Sequence, residues 1–145
     1  MKPLFILLAF IGSFFTKSSQ ATDAISPRVV KSFQQTFTNA KEVVWTVSPN
    51  FHKVDFVLNN QAVTAFYNEQ GNLTAITRNI SSLQLPIILQ AEIKKDYSDY
   101  WISELFELSN DNGTEYYLTI ENANSKVVLK SLGNTSWTTY SKTRK

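Results

Sequence analysis

Few side chains in this sequence could do chemistry, and their spacing limits what they could do. His52 is the only histidine, so a zinc site built from several imidazoles is excluded. A serine–histidine–aspartate relay would need an acid beside it. The nearest, Asp55, stands three positions along "FHKVDFVLNN", and in a strand an odd separation sends two side chains to opposite faces. His52 is therefore read as a structural or surface residue. Cysteine is absent, which removes thiol nucleophiles and redox motifs. The carboxylate pairs Asp96/Asp99 and Glu104/Glu107 read as a solvated helix end and a strand face rather than as a general acid and its base.

"NDNGTE", residues 110–115, has calcium-loop residue types but not the ligand spacing of an EF-hand. Asp-Asn-Gly between two strands is instead a hairpin turn. The Asn-x-Ser/Thr triplets at Asn72, Asn79, Asn112 and Asn134 read as turn chemistry as well. No glycine-rich loop is present to cradle a phosphate. The expectation is no catalysis, no cofactor and no metal.

Binding remains, and strand alternation points to a surface for it. If Val54, Phe56 and Leu58 face a core, then Lys53, Asp55 and Val57 face away. Val63, Ala65 and Tyr67 inward likewise send Thr64 and Phe66 outward. In the second half of the chain the same logic exposes Tyr117, Thr119, Lys126 and Val128, while Trp101 in "YWISELF" fits either phase. The expected binding residues are Phe66, Tyr117 and Trp101 with Asp55 and Lys53, aromatic anchors among charged neighbours. Trp45 shares its phase with Val43 and Val47 and is expected in the core.

The elements that position these residues come in two similar sets. Ser26 can cap a helix with Pro27 at its first position, and Val29, Val30, Phe33 and Phe37 mark one face. Asn39 ends it. Strands are expected over Val43–Val47, Val54–Leu58, the run ending at Tyr67, and Leu73–Ile80, with Asn59-Asn60 as a two-residue hairpin turn. The set then repeats. Leu85-Pro86 opens a helix with Leu89, Ile93 and Tyr97 in step, and strands follow at Tyr100–Leu108, around Tyr116–Ile120, across "SKVVLKSLGN" and at Ser136–Tyr140. Each set reads α-β-β-β-β, and neither could close a core alone. The expected fold class is α+β: a tandem repeat, about 25–81 and 84–141, forming one antiparallel sheet with both helices packed on one face.

The N-terminus adds a compartment. A short positive start, an apolar run from Leu4 to Phe15 and Ser19-Gln20-Ala21 have the layout of a signal peptide over residues 1–21. The run is shorter than the roughly 20 residues a membrane span needs. Residues 22–145 then form one domain, expected to be periplasmic or secreted, with no membrane insertion after cleavage. Two of the fourteen basic residues, Lys2 and Lys17, fall in the leader, so the remainder carries no net charge. It lacks the clustered basic stripe of a nucleic-acid binder.

The pattern P-x-x-V-x-x-x-F-x-x-x-F-x-N-A-K-x-V-x-W over Pro27–Trp45, then "VDFVLNN" and "AFYNEQGNL", resembles the β-lactamase-inhibitor-like, PepSY-like proteins. These are small exported tandem-repeat proteins of Bacteroidetes. The likeness is clear in the first set and weaker in the second, where "KKDYSDY" replaces a Tyr-Pro turn and the helix carries one extra residue. The resemblance implies a fold like the β-lactamase inhibitory protein and a periplasmic home. It does not imply inhibition of a β-lactamase, because fold does not fix function. Related PepSY modules point to a protein or peptide of the cell envelope as partner. The alternative is a small-ligand or envelope-stress sensing domain holding an apolar molecule between helices and sheet.

Overall fold

The computed structural model describes residues 25–145; the expected leader lies outside the described residues. The element order is α1 (Pro27–Thr36), β1 (Lys41–Ser48), β2 (Phe51–Leu58), β3 (Gln61–Tyr67), β4 (Leu73–Asn79), a 3-10 turn (Ser82–Gln84), α2 (Ile87–Asp96), β5 (Trp101–Asn110), β6 (Gly113–Glu121), β7 (Ser125–Leu132) and β8 (Ser136–Arg144). The eight strands form one sheet in chain order, and every neighbouring pair is antiparallel. Among the described residues no helix is long and apolar enough to cross a membrane.

Local chemistry explains most of these elements. Pro27 starts α1 with its ring pre-set for helical φ, and the Ser26 carbonyl accepts from the Val29 and Val30 amides at 3.0 and 3.1 Å. The Ser26 hydroxyl, expected to cap the helix, makes no capping bond. Val29 and Phe33 are buried beneath α1. Asn59 and Asn60 both take positive φ, 51° and 64°, the geometry of the two-residue turn expected between β2 and β3.

Several boundaries differ from expectation. α1 ends at Thr36, three positions before Asn39, because Phe37 leaves helical φ and turns its ring onto Phe56 at 4.8 Å. β8 runs on to Arg144, since its pairing with β7 continues as far as Ser125. The 3-10 turn was not anticipated. Its signal was nevertheless present: Ser81-x-x-Gln84 is a capping box, and the Gln84 side-chain oxygen accepts from the Ser81 amide at 2.8 Å.

Both helices lie on one face of the sheet, and the register proves it. Val63 opposes Arg78, Arg78 opposes Glu107, and Glu107 opposes Tyr116. Directly opposed residues share a face. Val63 packs with the residues under α1, and Tyr116 with those under α2. Each helix covers its own core: Phe33 meets Trp45 and Phe56 edge-on at 5.3 and 5.1 Å, while Leu89 sits over Leu105, Leu118 and Leu129. The indole of Trp137 donates to the Leu89 carbonyl at 3.1 Å and ties β8 to α2.

Trp45 is only half-buried, because β1 is an edge strand with no further strand beside it among the described residues. Val43 and Val47, expected in its phase, are exposed.

Candidate functional site

The helix-free face is assembled from alternate residues of all the strands. Following the register, Val44, Asp55, Thr64, Thr77, Leu108 and Glu115 form one row across it. Thr46, Lys53, Phe66 and Ala75 form the next. Asn79, Phe106, Tyr117, Lys130 and Thr138 form a third on the other side. All five residues expected to bind therefore share this face.

Their exposure is another matter. Phe66 and Tyr117 were expected to stand open to solvent, yet only 5% and 3% of their surfaces remain accessible. Cross-strand neighbours cover them. Phe51 packs edge-on against Phe66 at 5.7 Å. Phe106 stacks on Tyr117 at 5.1 Å with a 9° interplanar angle, Tyr140 meets the same ring edge-on, and the Lys130 ammonium lies 5.7 Å from its centroid. Alternation fixes which face a side chain takes; the neighbouring strands fix whether it meets water.

Two polar clusters are built into the face. Lys53 pairs with Asp55 at 3.2 Å, and the Thr64 hydroxyl donates to the other Asp55 oxygen. In the second half, Lys130 Nζ and the Tyr117 hydroxyl both reach Glu115 Oε2, at 3.2 and 3.3 Å. Burial pushes the Tyr117 phenol far up, and the Glu115 carboxylate adds to the shift. Tyr117 is thus a neutral donor through the ordinary pH range.

Trp101 is open, with 53% of its surface exposed. It opposes Glu121 on the helix-free face. The Lys145 ammonium lies 4.8 Å from its ring centroid and pairs with Glu121 at 3.0 Å. The phase of "YWISELF" was ambiguous for a physical reason. A bulge between Ile102 and Glu104 adds one residue, so Trp101 and Glu104 share a face although their separation is odd.

β4 stops at Asn79 while β5 extends further, and a groove of about 380 Å³ opens between Asn79–Ser82 and Ile102–Leu105. Glu104 lines it. Burial raises its carboxyl pKa, and Lys126 partly opposes the shift.

His52 is buried on the helix side of β2, opposite Tyr67, and Asp55 lies on the other face. Among the described residues no three His, Cys, Asp or Glu side chains gather as metal ligands. Glu107, expected on a solvated strand face, accepts both bonds of Arg78 on the helix side of the sheet.

No protein-family model and no curated protein matches the sequence. Solved structures share its fold. A BLIP-like protein from Bacteroides fragilis is 16% identical with a TM-score of 0.68, over 83% of this chain and 86% of that one. A protein provisionally assigned to the periplasm of Bacteroides eggerthii is 10% identical, TM-score 0.72, over 83% and 88%. A DUF2874 family protein from Bacteroides ovatus is 13% identical, TM-score 0.71, over 84% and 89%. The fold is that of BLIP-like and DUF2874 proteins of Bacteroides.

Proposed function

We propose that the protein is an exported, non-catalytic module that binds a protein or peptide of the cell envelope through its helix-free sheet face. The observation that carries this reading is the placement of Lys53, Asp55, Phe66, Tyr117 and Trp101 on one face while both helices pack on the other. Neighbouring side chains hold most of these groups in fixed positions, which lowers the ordering cost of binding. Trp101 and Tyr140 are exposed aromatics, and the Lys53–Asp55 and Glu115–Lys130 pairs form polar ground around the buried rings. The layout of residues 1–21 and the provisional periplasmic assignment of one fold relative support export.

Photo-crosslinking residues placed in the native host test the reading. Probes at Trp101 and Tyr140, on the helix-free side, should capture one and the same partner. Probes at Lys31 and Lys94, exposed on the helices, should not. Equal capture from both sets would reject the face.

The groove beside Glu104 favours a second reading, a small-ligand or envelope-stress sensing domain. Its half-buried carboxyl would select a ligand bearing a hydrogen-bond acceptor or a cation, depending on protonation. Chemical-shift changes confined to Asn79–Ser82 and Ile102–Leu105 on adding periplasmic small molecules would support it; their absence would remove it.

A further inference from the structure

We propose that the segment bound by the helix-free face is an acidic, extended peptide lying across its β5–β8 end, with Trp101 and Tyr140 as aromatic contacts. The proposal rests on the helix-free face being the binding surface, and it names the chemistry that surface selects.

The fold collects cationic charge there. Residues 122–145 carry five basic side chains and no aspartate or glutamate. In the sequence they are scattered, but strand pairing gathers them. Lys126 on β7 opposes Thr143 on β8, and Lys142 and Arg144 flank Thr143, opposite Val127 and Ser125. Lys130 and Lys145 are engaged, with Glu115 and Glu121 at 3.2 and 3.0 Å. Lys126, Lys142 and Arg144 are exposed, and among the described residues no ion pair holds them. Glu104 and Glu121 act on Lys126 only at longer range. Five cations against Glu104, Glu115 and Glu121 leave this end positive, which favours and steers an anionic partner.

The aromatic groups give that charge a direction. Trp101, Glu121, Lys126 and Thr143 form one row across the helix-free face from β5 to β8. Three strand spacings make it about 14 Å long, which about five extended residues span. Trp101 stands exposed on β5, and Tyr140 stands exposed on β8 against the Tyr117 ring. An apolar side chain of the peptide would pack on these rings while its carboxylates meet the cations between them. Blunting of an edge strand accounts for Lys142 and Arg144 on β8. It does not account for Lys126 on β7 or Trp101 on β5, which lie inward of the edge. A lipid surface is disfavoured, because the exposed aliphatic side chains suited to entering a bilayer, Ile87 and Ile88, are on α2, across the sheet from this face.

Fluorescence anisotropy with the purified protein tests the chemistry. The probe is a fluorescein-labelled, glutamate-rich peptide with a central tyrosine; its counterpart carries lysine for every glutamate. The first should bind, more weakly as salt rises, and the second should not. Lys126→Ala/Lys142→Ala/Arg144→Ala should weaken binding at least about tenfold. Lys31→Ala/Lys94→Ala/Lys95→Ala removes the same charge from exposed helix positions and should leave binding unchanged. Equal loss in both variants, equal binding of both peptides, or no binding of the acidic one overturns the proposal. So does binding to phosphatidylglycerol vesicles in place of the peptide. A photo-crosslinking probe at Tyr140 in the native host separates this chemistry from the face itself. Partner capture that persists undiminished in the Lys126/Lys142/Arg144 variant overturns the acidic partner and leaves the face. No capture in the otherwise unsubstituted protein removes the face, and this proposal with it.

Discussion

Arg78 and Glu107 face each other across the seam where the two halves of the sheet meet. The guanidinium donates from Nε and Nη2 to both carboxylate oxygens, at 2.9 and 3.2 Å. The residues are 29 positions apart, on β4 and β5. Strand pairing and this fork join the halves where each helix has its own core.

Arg78→Met and Glu107→Gln should each lower unfolding stability by about 1 kcal/mol. A charged bidentate bond contributes more than that when buried, but the arginine here is 41% exposed and solvent screens it. Urea denaturation should show the double variant costing less than the two singles added together, since either change breaks the same pair. Additive losses would mean that the two act separately.

Glu104 predicts an acid-side gain. Its folded pKa is raised by burial, so the native state holds a proton that the unfolded state has released. Through this group, stability falls as pH rises from the unfolded carboxylate value through the folded one. Glu104→Gln should raise the urea midpoint at neutral pH, with the advantage shrinking as pH drops below the ordinary glutamate range. An advantage unchanged at low pH would assign the effect to something other than ionisation.

Tyr117 governs the alkaline limb. Burial raises the pKa of Tyr67, Tyr97, Tyr116 and Tyr117, so above the ordinary tyrosine pKa the unfolded chain loses protons the native one keeps. Stability must then fall with rising pH. Absorbance at 295 nm should show these phenols ionising with unfolding rather than before it. Tyr117→Phe should cost about 1 kcal/mol at neutral pH through its lost bond to Glu115, and its stability should decline less steeply in base. An unchanged slope would count against Tyr117 as a source of the alkaline loss.

Gly71 and Gly133 separate strain from crowding. Both have positive φ, 86° and 58°. A Cβ on Gly71 would come within 3.1 Å of the Arg28 carbonyl oxygen at the start of α1, whereas one on Gly133 would meet nothing within 4 Å. Gly133→Ala should cost about 1 kcal/mol from backbone conformation alone. Gly71→Ala should cost clearly more, and thermal unfolding will rank them. Equal losses would show that the β3–β4 turn yields without disturbing α1.

Much of the local architecture was legible because its causes are local. A proline at the first helical position, apolar residues in helical step and an Asn-Asn turn act through their own backbone and nearest neighbours. Period-two alternation placed Lys53, Asp55, Phe66 and Tyr117 on the helix-free face correctly. The phase of Trp101 was not legible, because the bulge beside Ser103 resets the count and nothing in "YWISELF" marks it. The 3-10 turn could have been found from Ser81 and Gln84.

The sequence by itself determined the order of the helices and strands and, away from the bulges, the face a strand residue takes, since both follow from periodicities inherent in helix and strand geometry. Only the tertiary structure decided which of those residues meet solvent. Phe66 is closed off by Phe51, and Tyr117 by Phe106, Lys130 and Tyr140, contributed by β2, β5, β7 and β8. Burial depends on which strands become neighbours and how they are registered, a property of pairs far apart in the chain. For the same reason only the assembled sheet shows that β1 is an edge, with no further strand beside its valines among the described residues.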